Sequence, residues 1–234
     1  MACLREFEKV IDYIIGEIRE GRAVVGSEIP SERQISAELC ISRNSVREGV
    51  RALENMGVVE SRHGSGNYIS GSISGSVKRA LDVMLLLRKI DMKEISDYRK
   101  STELAVFDLA FGNPDKNNQL RKISEILDDF MKQPLEERIR RDNEFHYALV
   151  KMADNQILSI VMSSISEVYS RWVRQVLESM PEKGMRQLHE AHTKLFESFI
   201  HNDKAAGIAA IDEHYFTISL MAGRIGKKDA GNGV

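Results

Sequence analysis

The chain has 234 residues, enough for one large domain or two modest ones. Hydrophobic residues make up 42% of it and charged residues 29%, as in ordinary globular proteins, which argues against a disordered chain. Its longest apolar run is the five residues 83–87, far short of the roughly 20 that a membrane-spanning helix needs. The first twenty residues lack the apolar core of a signal peptide, and two cysteines cannot make a disulfide framework. We therefore expect a cytoplasmic protein with no membrane partner.

The net charge of −2 gives no indication of a nucleic-acid partner. Residues 1–72 hold nine Lys or Arg and eleven Asp or Glu. Eight of those nine cations are arginines, and arginine makes bidentate contacts to phosphate and guanine that lysine cannot make. Whether this part of the chain can bind DNA therefore depends on the positions of its arginines.

The clearest change of composition falls at residues 64–76, where nine of thirteen residues are Gly or Ser. The end of this stretch has the composition of a flexible linker, and the last residues of the chain resemble a frayed terminus. The sequence therefore predicts two domains, a linker and a tail. Their ranges are 1–70 for the first domain, 71–76 for the linker, 77–226 for the second domain and 227–234 for the tail.

Three helices and then two short strands are predicted in the first domain. Ser31 and Gln34 have the spacing of a capping box at the start of the second helix. Ser42 can cap the third helix, and Gly57 can end it. The predicted ranges are 4–20, 31–39, 43–56, 58–61 and 67–69.

The second domain shows only helical periodicity, with no strand pattern and no fixed repeat. Its breaks fall at proline, glycine, asparagine and aspartate residues. The fold class predicted for the whole chain is therefore mainly α, with three helices and a β-hairpin followed by an all-α bundle of seven helices. The seven predicted ranges are 77–89, 92–111, 115–131, 135–153, 156–179, 185–201 and 204–225.

Helices 31–39 and 43–56, joined by a tight turn, have the outline of a helix-turn-helix. In that motif the N-terminal residues of the second helix contact base edges in the major groove. Arginines 43, 47 and 51 share one face of this helix because they are four residues apart. The candidate base-contacting residues are Arg43, Asn44, Ser45 and Arg47.

Further DNA contacts are expected on either side of this helix. Ser42 and Ser45 can donate hydrogen bonds to phosphate, beside the positive end of the helix dipole. His63 and Gly64 lie at the predicted hairpin turn, which could enter the neighbouring groove as a wing. The alternative is a solvated charged face on a small helical domain.

Four segments together resemble the winged helix of the GntR family. The matching segments are GSEIPSER at 26–33, ISRNSVRE at 41–48, LENMG at 53–57 and HGSG at 63–66. The resemblance implies that Arg33, Arg43 and Arg47 contact phosphates and bases, and that His63 and Gly64 form the wing tip.

The sequence departs from the usual family pattern at three places. Val25-Gly26 replaces Pro-Gly, and Asn44 replaces a common Thr, which would alter base preference because Asn favours adenine. Gly49 replaces the usual Ala inside the recognition helix. Glycine in that position is expected to cost about 0.5–1 kcal/mol relative to alanine.

Polar residues occupy core positions on three helices of the second domain. Asp142 and His146 are four residues apart, so they point the same way. His192 and His214 are each eleven residues from Asp203, in the turn between two helices predicted to be antiparallel. They should therefore lie at the same height. Three histidines and one aspartate from three helices can hold a divalent transition metal.

The alternative for each of these histidines is a core residue hydrogen-bonded to a neighbour. His189 competes with His192 on the same helix, but it lies at the edge of the apolar stripe. We therefore expect it outside the metal site. His201 falls at a helix end, where a capping role is expected.

The same four polar residues resemble the metal ligands of the FCD domain, which is the effector domain of the FadR branch of GntR regulators. The resemblance spans about residues 80–225 and implies zinc, nickel or a similar metal. It also implies a small carboxylate effector that completes the coordination of the metal. The implied ligands are Asp142, His146, His192 and His214.

Arg99 lies on an apolar stripe, where an arginine needs a partner. One interpretation is an ion pair within the helix with Glu103, four residues on. The other follows from the R-x-x-x-E pattern of FCD domains, in which the arginine commonly binds the effector carboxylate. Bidentate geometry would suit Arg99 to that role. Tyr98, Tyr147 and Tyr169 are further candidates for lining the cavity.

The leading hypothesis is a ligand-responsive transcriptional repressor. We expect it to bind an inverted-repeat DNA operator as a homodimer, since two-fold proteins match two-fold sites. The alternative class is an enzyme, because a metal with open coordination positions can also catalyse hydrolysis. No glutamate or further histidine lies on the metal-bearing stripes to act as a general base, which argues against an enzyme. A metal-responsive regulator and a DNA binder with a purely structural metal remain alternatives.

Overall fold

The computed structural model describes residues 5–231, and the side chains of residues 5–222 among them. Cys3, the first residue of the predicted helix 4–20 and the last three residues of the predicted tail lie outside the described part. The chain forms two compact units, Met1–Arg79 and Ala80–Val234. In the described part, no helix has both the length and the apolar character needed to span a membrane.

The first unit contains three helices followed by a two-stranded antiparallel hairpin, in the order predicted. The pairing of the strands runs from Val59 opposite Ile69 to Arg62 opposite Gly66. The elements are α1 (Glu6–Arg19), α2 (Glu32–Leu39), α3 (Arg43–Met56), β1 (Val59–Arg62) and β2 (Gly66–Ile69).

The predicted helix caps are present. Ser31 Oγ accepts a hydrogen bond from the Gln34 backbone, while Gln34 Oε1 accepts one from the Ser31 backbone, so the capping box is complete. Ser42 Oγ accepts from Ser45 N at 3.1 Å and begins α3. Gly57 ends α3 with φ of 77°, a left-handed conformation that glycine adopts without steric cost.

The core of this unit is built from the apolar faces of α1, α2, α3 and the hairpin. Branched aliphatic side chains dominate it, and they pack α1 directly onto α3. The fully buried members are Val10, Ile14, Ile35, Val46 and Leu53.

Gly49 lies at the closest approach of α1 and α3. A Cβ atom at this position would stand 2.6 Å from Val10 Cβ and 2.8 Å from the Phe7 carbonyl oxygen. The expectation that alanine would be better here is therefore wrong, because the helix surface opposite leaves no room for a methyl group. Overpacking of this kind costs about 1–3 kcal/mol.

We expect Gly49→Ala to lower the free energy of unfolding by that amount. Gly16→Ala is the matched control, since Gly16 is also inside a helix but has open space around its Cβ position. The control should raise stability by about 0.5–1 kcal/mol. Urea titrations followed by circular dichroism would measure both. A Gly49→Ala protein as stable as the control would show that α1 and α3 do not approach so closely.

The second unit is helical throughout its described residues, and the predicted bundle of seven helices is confirmed when α4, which begins in the first unit, is included. The helices are α4 (Ser74–Leu86), α5 (Met92–Gly112), α6 (Asn117–Leu127), α7 (Leu135–Met152), α8 (Gln156–Glu178), α9 (Glu182–Ile200) and α10 (Lys204–Gly231).

Several element ends differ from the predicted ranges by three residues or more, among them the start and end of α4 and the start of α9. Helix α4 begins inside the predicted linker, at Ser74. Helix α6 stops at Leu127, because Asp129 takes a left-handed conformation with φ of 52° before a short 3-10 turn. Helix α10 continues to Gly231, five residues into the predicted tail.

Helices α9 and α10 form an antiparallel hairpin. Asn202 turns the chain between them with φ of 53°. Lys194 Nζ lies 2.6 Å from Glu213 Oε2 across the pair, and the rings of His192 and His214 face each other at 4.7 Å. The hairpin therefore places these two histidines at the same height, as their equal distance from the turn predicts.

Candidate metal centre and DNA-binding surface

Three histidines from three helices meet in the middle of the second unit. His146 comes from α7, His192 from α9 and His214 from α10, and all three are buried. Each offers one ring nitrogen such that the three nitrogens all lie within 4.8 Å of one another. Two nitrogens bound to one zinc ion lie at most about 4.2 Å apart, since zinc–nitrogen bonds are about 2.0–2.1 Å long, so the three rings are close to the spacing that a single ion requires.

One ring nitrogen of each histidine lacks a hydrogen bond within the described protein, although His146 Nδ1 lies 2.9 Å from Glu103 Oε2. His146 Nδ1, His192 Nε2 and His214 Nδ1 are buried and make no hydrogen bond. Buried polar groups in folded proteins are normally paired, so each unpaired one needs an explanation. His192 Nε2 and His214 Nδ1 are therefore not the satisfied nitrogens of ordinary core histidines, and the three rings together fit a divalent transition metal.

Asp142, the fourth predicted ligand, lies beside the three histidines. It is buried one turn before His146 on α7, and its Oδ1 lies 3.7 Å from His192 Nε2. Asp142 is not among the residues whose ligand atoms are mutually within 4.8 Å. Burial raises the pKa of Asp142, and the neighbouring His146 and Arg99 oppose that rise.

Burial also sets the protonation of two of the histidines. It lowers the pKa of His192 far below the usual value, with help from the neighbouring histidines. It lowers the pKa of His214 to about 3, and the charge of His146 acts in the same direction. Both rings are therefore neutral at pH 7, the form in which histidine binds a metal.

Glu103 joins the site from α5, a contact that was not predicted from the sequence. Its Oε2 lies 2.9 Å from His146 Nδ1 as an ion pair without hydrogen-bond alignment, and it accepts a hydrogen bond from Tyr215 Oη at 2.8 Å. Burial opposes the charge of Glu103, but His146, His214 and Arg99 outweigh it and lower the pKa. In turn, burial opposes the charge of His146, but Glu103 outweighs it and raises the pKa of that ring.

The ionic contact of Glu103 is thus with another helix, although the sequence suggests an ion pair with Arg99. The one sequence feature that could have indicated this is its position, four residues after Arg99 on the buried face of α5. Spacing along one helix gives no information about which neighbouring helix a side chain meets.

Arg99 is 4% exposed and lies next to the histidine cluster. Its guanidinium stacks on the ring of Tyr169, with 4.3 Å from Cζ to the ring centre, and its Nε is buried without a hydrogen-bond partner. Burial opposes its charge, yet Tyr215 and Glu103 outweigh that effect and raise the pKa. A charged, incompletely paired arginine is suited to bind an anion.

A small enclosed cavity of about 10 Å³ connects Arg99 with Asp142, His146 and His214. Tyr169 also lines it, as predicted, whereas Tyr98 is exposed and Tyr147 faces an outer groove. The space holds about one water-sized group.

The other two histidines of this region lie outside the cluster, where they were expected. His189 stacks on Phe130 with 5.1 Å between ring centres. His201 is exposed at the C-terminal end of α9, where it occupies the cap position.

The predicted DNA-contacting face of α3 is exposed. Arg43, Arg47 and Arg51 are all on the surface, as is Asn44. Arg47 is held by Glu32 of α2 through two contacts, Nε to Oε1 at 3.2 Å and Nη2 to Oε2 at 3.0 Å.

The remaining predicted contact residues lie around this face. Arg33 and Ser42 are exposed near the start of α2 and α3, and Ser45 Oγ donates to Glu6 Oε2 at 2.6 Å. His63 and Gly64 are exposed in the turn between β1 and β2, where Gly64 has φ of 70°.

Comparison with known proteins identifies relatives of this chain. The family described as bacterial regulatory proteins, gntR family, matches residues 7–69, and the FCD domain matches residues 94–217. The HTH-type transcriptional regulator LutR of Bacillus subtilis (strain 168) is 25% identical over 202 residues, which cover 84% of this chain and 92% of that protein. The Exu regulon transcriptional regulator of Escherichia coli (strain K12) is 22% identical over 223 residues, which cover 93% and 84%.

Among solved structures, one described as Streptococcus agalactiae GntR has the same fold, with a TM-score of 0.68 and 20% sequence identity. The comparison covers 91% of this chain and 98% of that one.

A winged helix-turn-helix followed by a helical effector domain defines a DNA-binding transcriptional regulator, and the relatives are regulators rather than enzymes. The chain belongs to the GntR family, in its FadR-like branch with an FCD domain.

Proposed function

We propose that this regulator is a cytoplasmic, metal-containing repressor that responds to a small carboxylate. His146, His192, His214 and Asp142 would hold the metal, and Arg99 would bind the carboxylate. The observation that carries the proposal is the group of three buried histidines, each of which places one ring nitrogen within 4.8 Å of the other two. Zinc and nickel are among the metals that imidazole ligands suit.

Arg99 supports the carboxylate part of the proposal. Arg99, His146 and His214 line the same enclosed cavity, so an anion there could contact the guanidinium and the rings. A bound divalent cation would supply a second positive charge for that anion. Glu103, already held by Tyr215 and next to His146, would keep the α5 side of the site in place.

For DNA, we propose a homodimer on an inverted repeat, with α3 of each copy in a major groove. Arg33, Arg43 and Arg47 would contact phosphates and bases, together with Asn44, Ser42 and Ser45. His63 and Gly64 would form the wing tip. Apart from the half-buried Ser45, all of these residues are exposed on the first unit, which supports this assignment. The carboxylate would lower operator affinity by binding the DNA-free conformation more tightly.

A metal assay combined with a thermal-shift screen tests the proposal. The full-length protein is loaded with zinc or nickel, screened against small mono- and dicarboxylates, and screened again after chelation. A ligand at 100 times its Kd should add about 2.7 kcal/mol of stability. We expect a hit that needs the metal and weakens operator binding.

The alternatives give other outcomes. A metal retained by the protein without any carboxylate response would identify a structural metal. Operator binding that changes with metal alone would identify a metal-responsive regulator. Either outcome would contradict the carboxylate proposal.

A further inference from the structure

A groove of about 870 Å³ runs between α7 and α8 on the outside of the effector domain. One face of α7 lines it, since Ile139, Asn143, His146 and Val150 recur at helical spacing. Met162 and serines 159, 163 and 166 line it from α8. The volume lies within the range of small-molecule pockets, about 300–1,000 Å³.

The groove and the enclosed cavity share two walls. His146 and Asn143 line both spaces. His146 is 7% exposed and its Nδ1 has no hydrogen-bond partner. The two spaces are therefore neighbours.

The enclosed cavity has room for one oxygen of a carboxylate and not for the whole group. Its 10 Å³ holds about one water-sized group, whereas a carboxylate alone has three heavy atoms. A ligand whose head reaches Arg99 and the histidines must extend past His146 and Asn143, and the groove is the space that it would enter.

The walls of the groove favour an apolar chain. Ile139 and Met162 are buried, Val150 is 5% exposed, and each turns a side chain toward the groove. The Ser163 hydroxyl donates to the Ile160 carbonyl at 2.9 Å, so it is already used by its own helix. Burying each methylene here removes apolar surface from water.

The rim of the groove does not favour a second negative charge. Both of its arginines already have carboxylate partners: Arg140 pairs with Glu137 and Glu144, and Arg174 pairs with Glu136. The lining holds four glutamates and two arginines. A carboxylate at the far end of a ligand would thus meet a rim of net negative charge.

We infer that the effector is a monocarboxylate with an apolar tail of several carbons, whose head lies at Arg99 and the histidine cluster and whose tail lies in the α7–α8 groove. This inference rests on the proposed function, because it needs a carboxylate site at the cluster. It adds the chemical class of the effector and the path of its tail.

The inference is tested by calorimetric titration of the zinc-loaded, full-length protein with acetate, butanoate, hexanoate and octanoate. The affinity should rise about two- to fourfold for each added methylene. Suberate has the same length as octanoate with a carboxylate at each end, and it should bind at least tenfold more weakly than octanoate.

A pair of serine variants on α8 tests the place of the tail. Ser163→Phe puts a ring into the groove and should weaken octanoate binding at least tenfold while acetate binding stays the same. Ser170→Phe is the control, since Ser170 lies on the same helix outside the groove lining and also donates its hydroxyl to a carbonyl three residues earlier. It should bind octanoate like the wild type.

The outcomes separate this inference from the proposed function. Carboxylates that bind with no dependence on chain length would overturn the inference alone, as would suberate binding as tightly as octanoate. Octanoate binding that survives Ser163→Phe would place the tail elsewhere and also overturn it. If no carboxylate binds the metal-loaded protein, the proposed function fails as well.

Discussion

His192→Ala is expected to abolish metal binding, whereas His189→Ala should leave it intact. His192 lies in the histidine cluster with an unpartnered Nε2, while His189 stacks on Phe130 away from it. Loss of an outer-sphere partner commonly costs 10–100-fold in metal affinity, so removal of a ligand should cost at least about 100-fold. Metal content per chain after dialysis should fall from about one ion to near zero only for His192→Ala.

Two further measurements serve as controls for this experiment. His192→Ala also removes a ring that stacks on Phe145 at 4.1 Å between centres, so circular dichroism must show that the variant still folds. His192→Gln keeps more of the side-chain volume and should lose the metal in the same way. If His189→Ala loses its metal and His192→Ala retains it, the ligands are not those assigned here.

Arg43→Ala should weaken operator binding by about 1–3 kcal/mol and relax the base preference at one position of each half-site. Arg43 is the first residue of α3 and is exposed, and it makes no ion pair or hydrogen bond with another described side chain. It is therefore free to contact a base directly. Equilibrium binding to a panel of single-base operator variants, at one fixed salt concentration, would measure both effects.

Arg19→Ala is the charge-matched control, since Arg19 is an exposed arginine at the end of α1 in the same unit. It removes one positive charge and should leave the base preference unchanged. An Arg43→Ala protein that binds all operator variants more weakly by the same factor would place Arg43 on the phosphate backbone instead.

Much of the fold follows from local sequence features. The capping box of Ser31 and Gln34 depends only on residues close together in the chain, and so does the helix end at Gly57. Both could therefore be predicted from the sequence. The meeting of His192 and His214 could also be predicted, because a short turn between two helices fixes the register of both.

Other features depend on contacts between distant segments. Glu103 meets His146 and Tyr215, which are 43 and 112 residues away in the chain, and helical periodicity does not specify such partners. Gly49 is a second example. The local propensity of a helix favours alanine there, while the packing against Val10 excludes a methyl group.

The turn between α9 and α10 is expected to tolerate no insertion or deletion of residues. Surface turns normally accept insertions and deletions without much harm. Here one added residue that extended either helix would rotate the following side chains by about 100°, since a helical turn takes 3.6 residues. His214 would then leave the face that it shares with His192. An exposed segment at Asn202 is thus held to a fixed length by two side chains that lie ten residues before it and twelve residues after it in the chain.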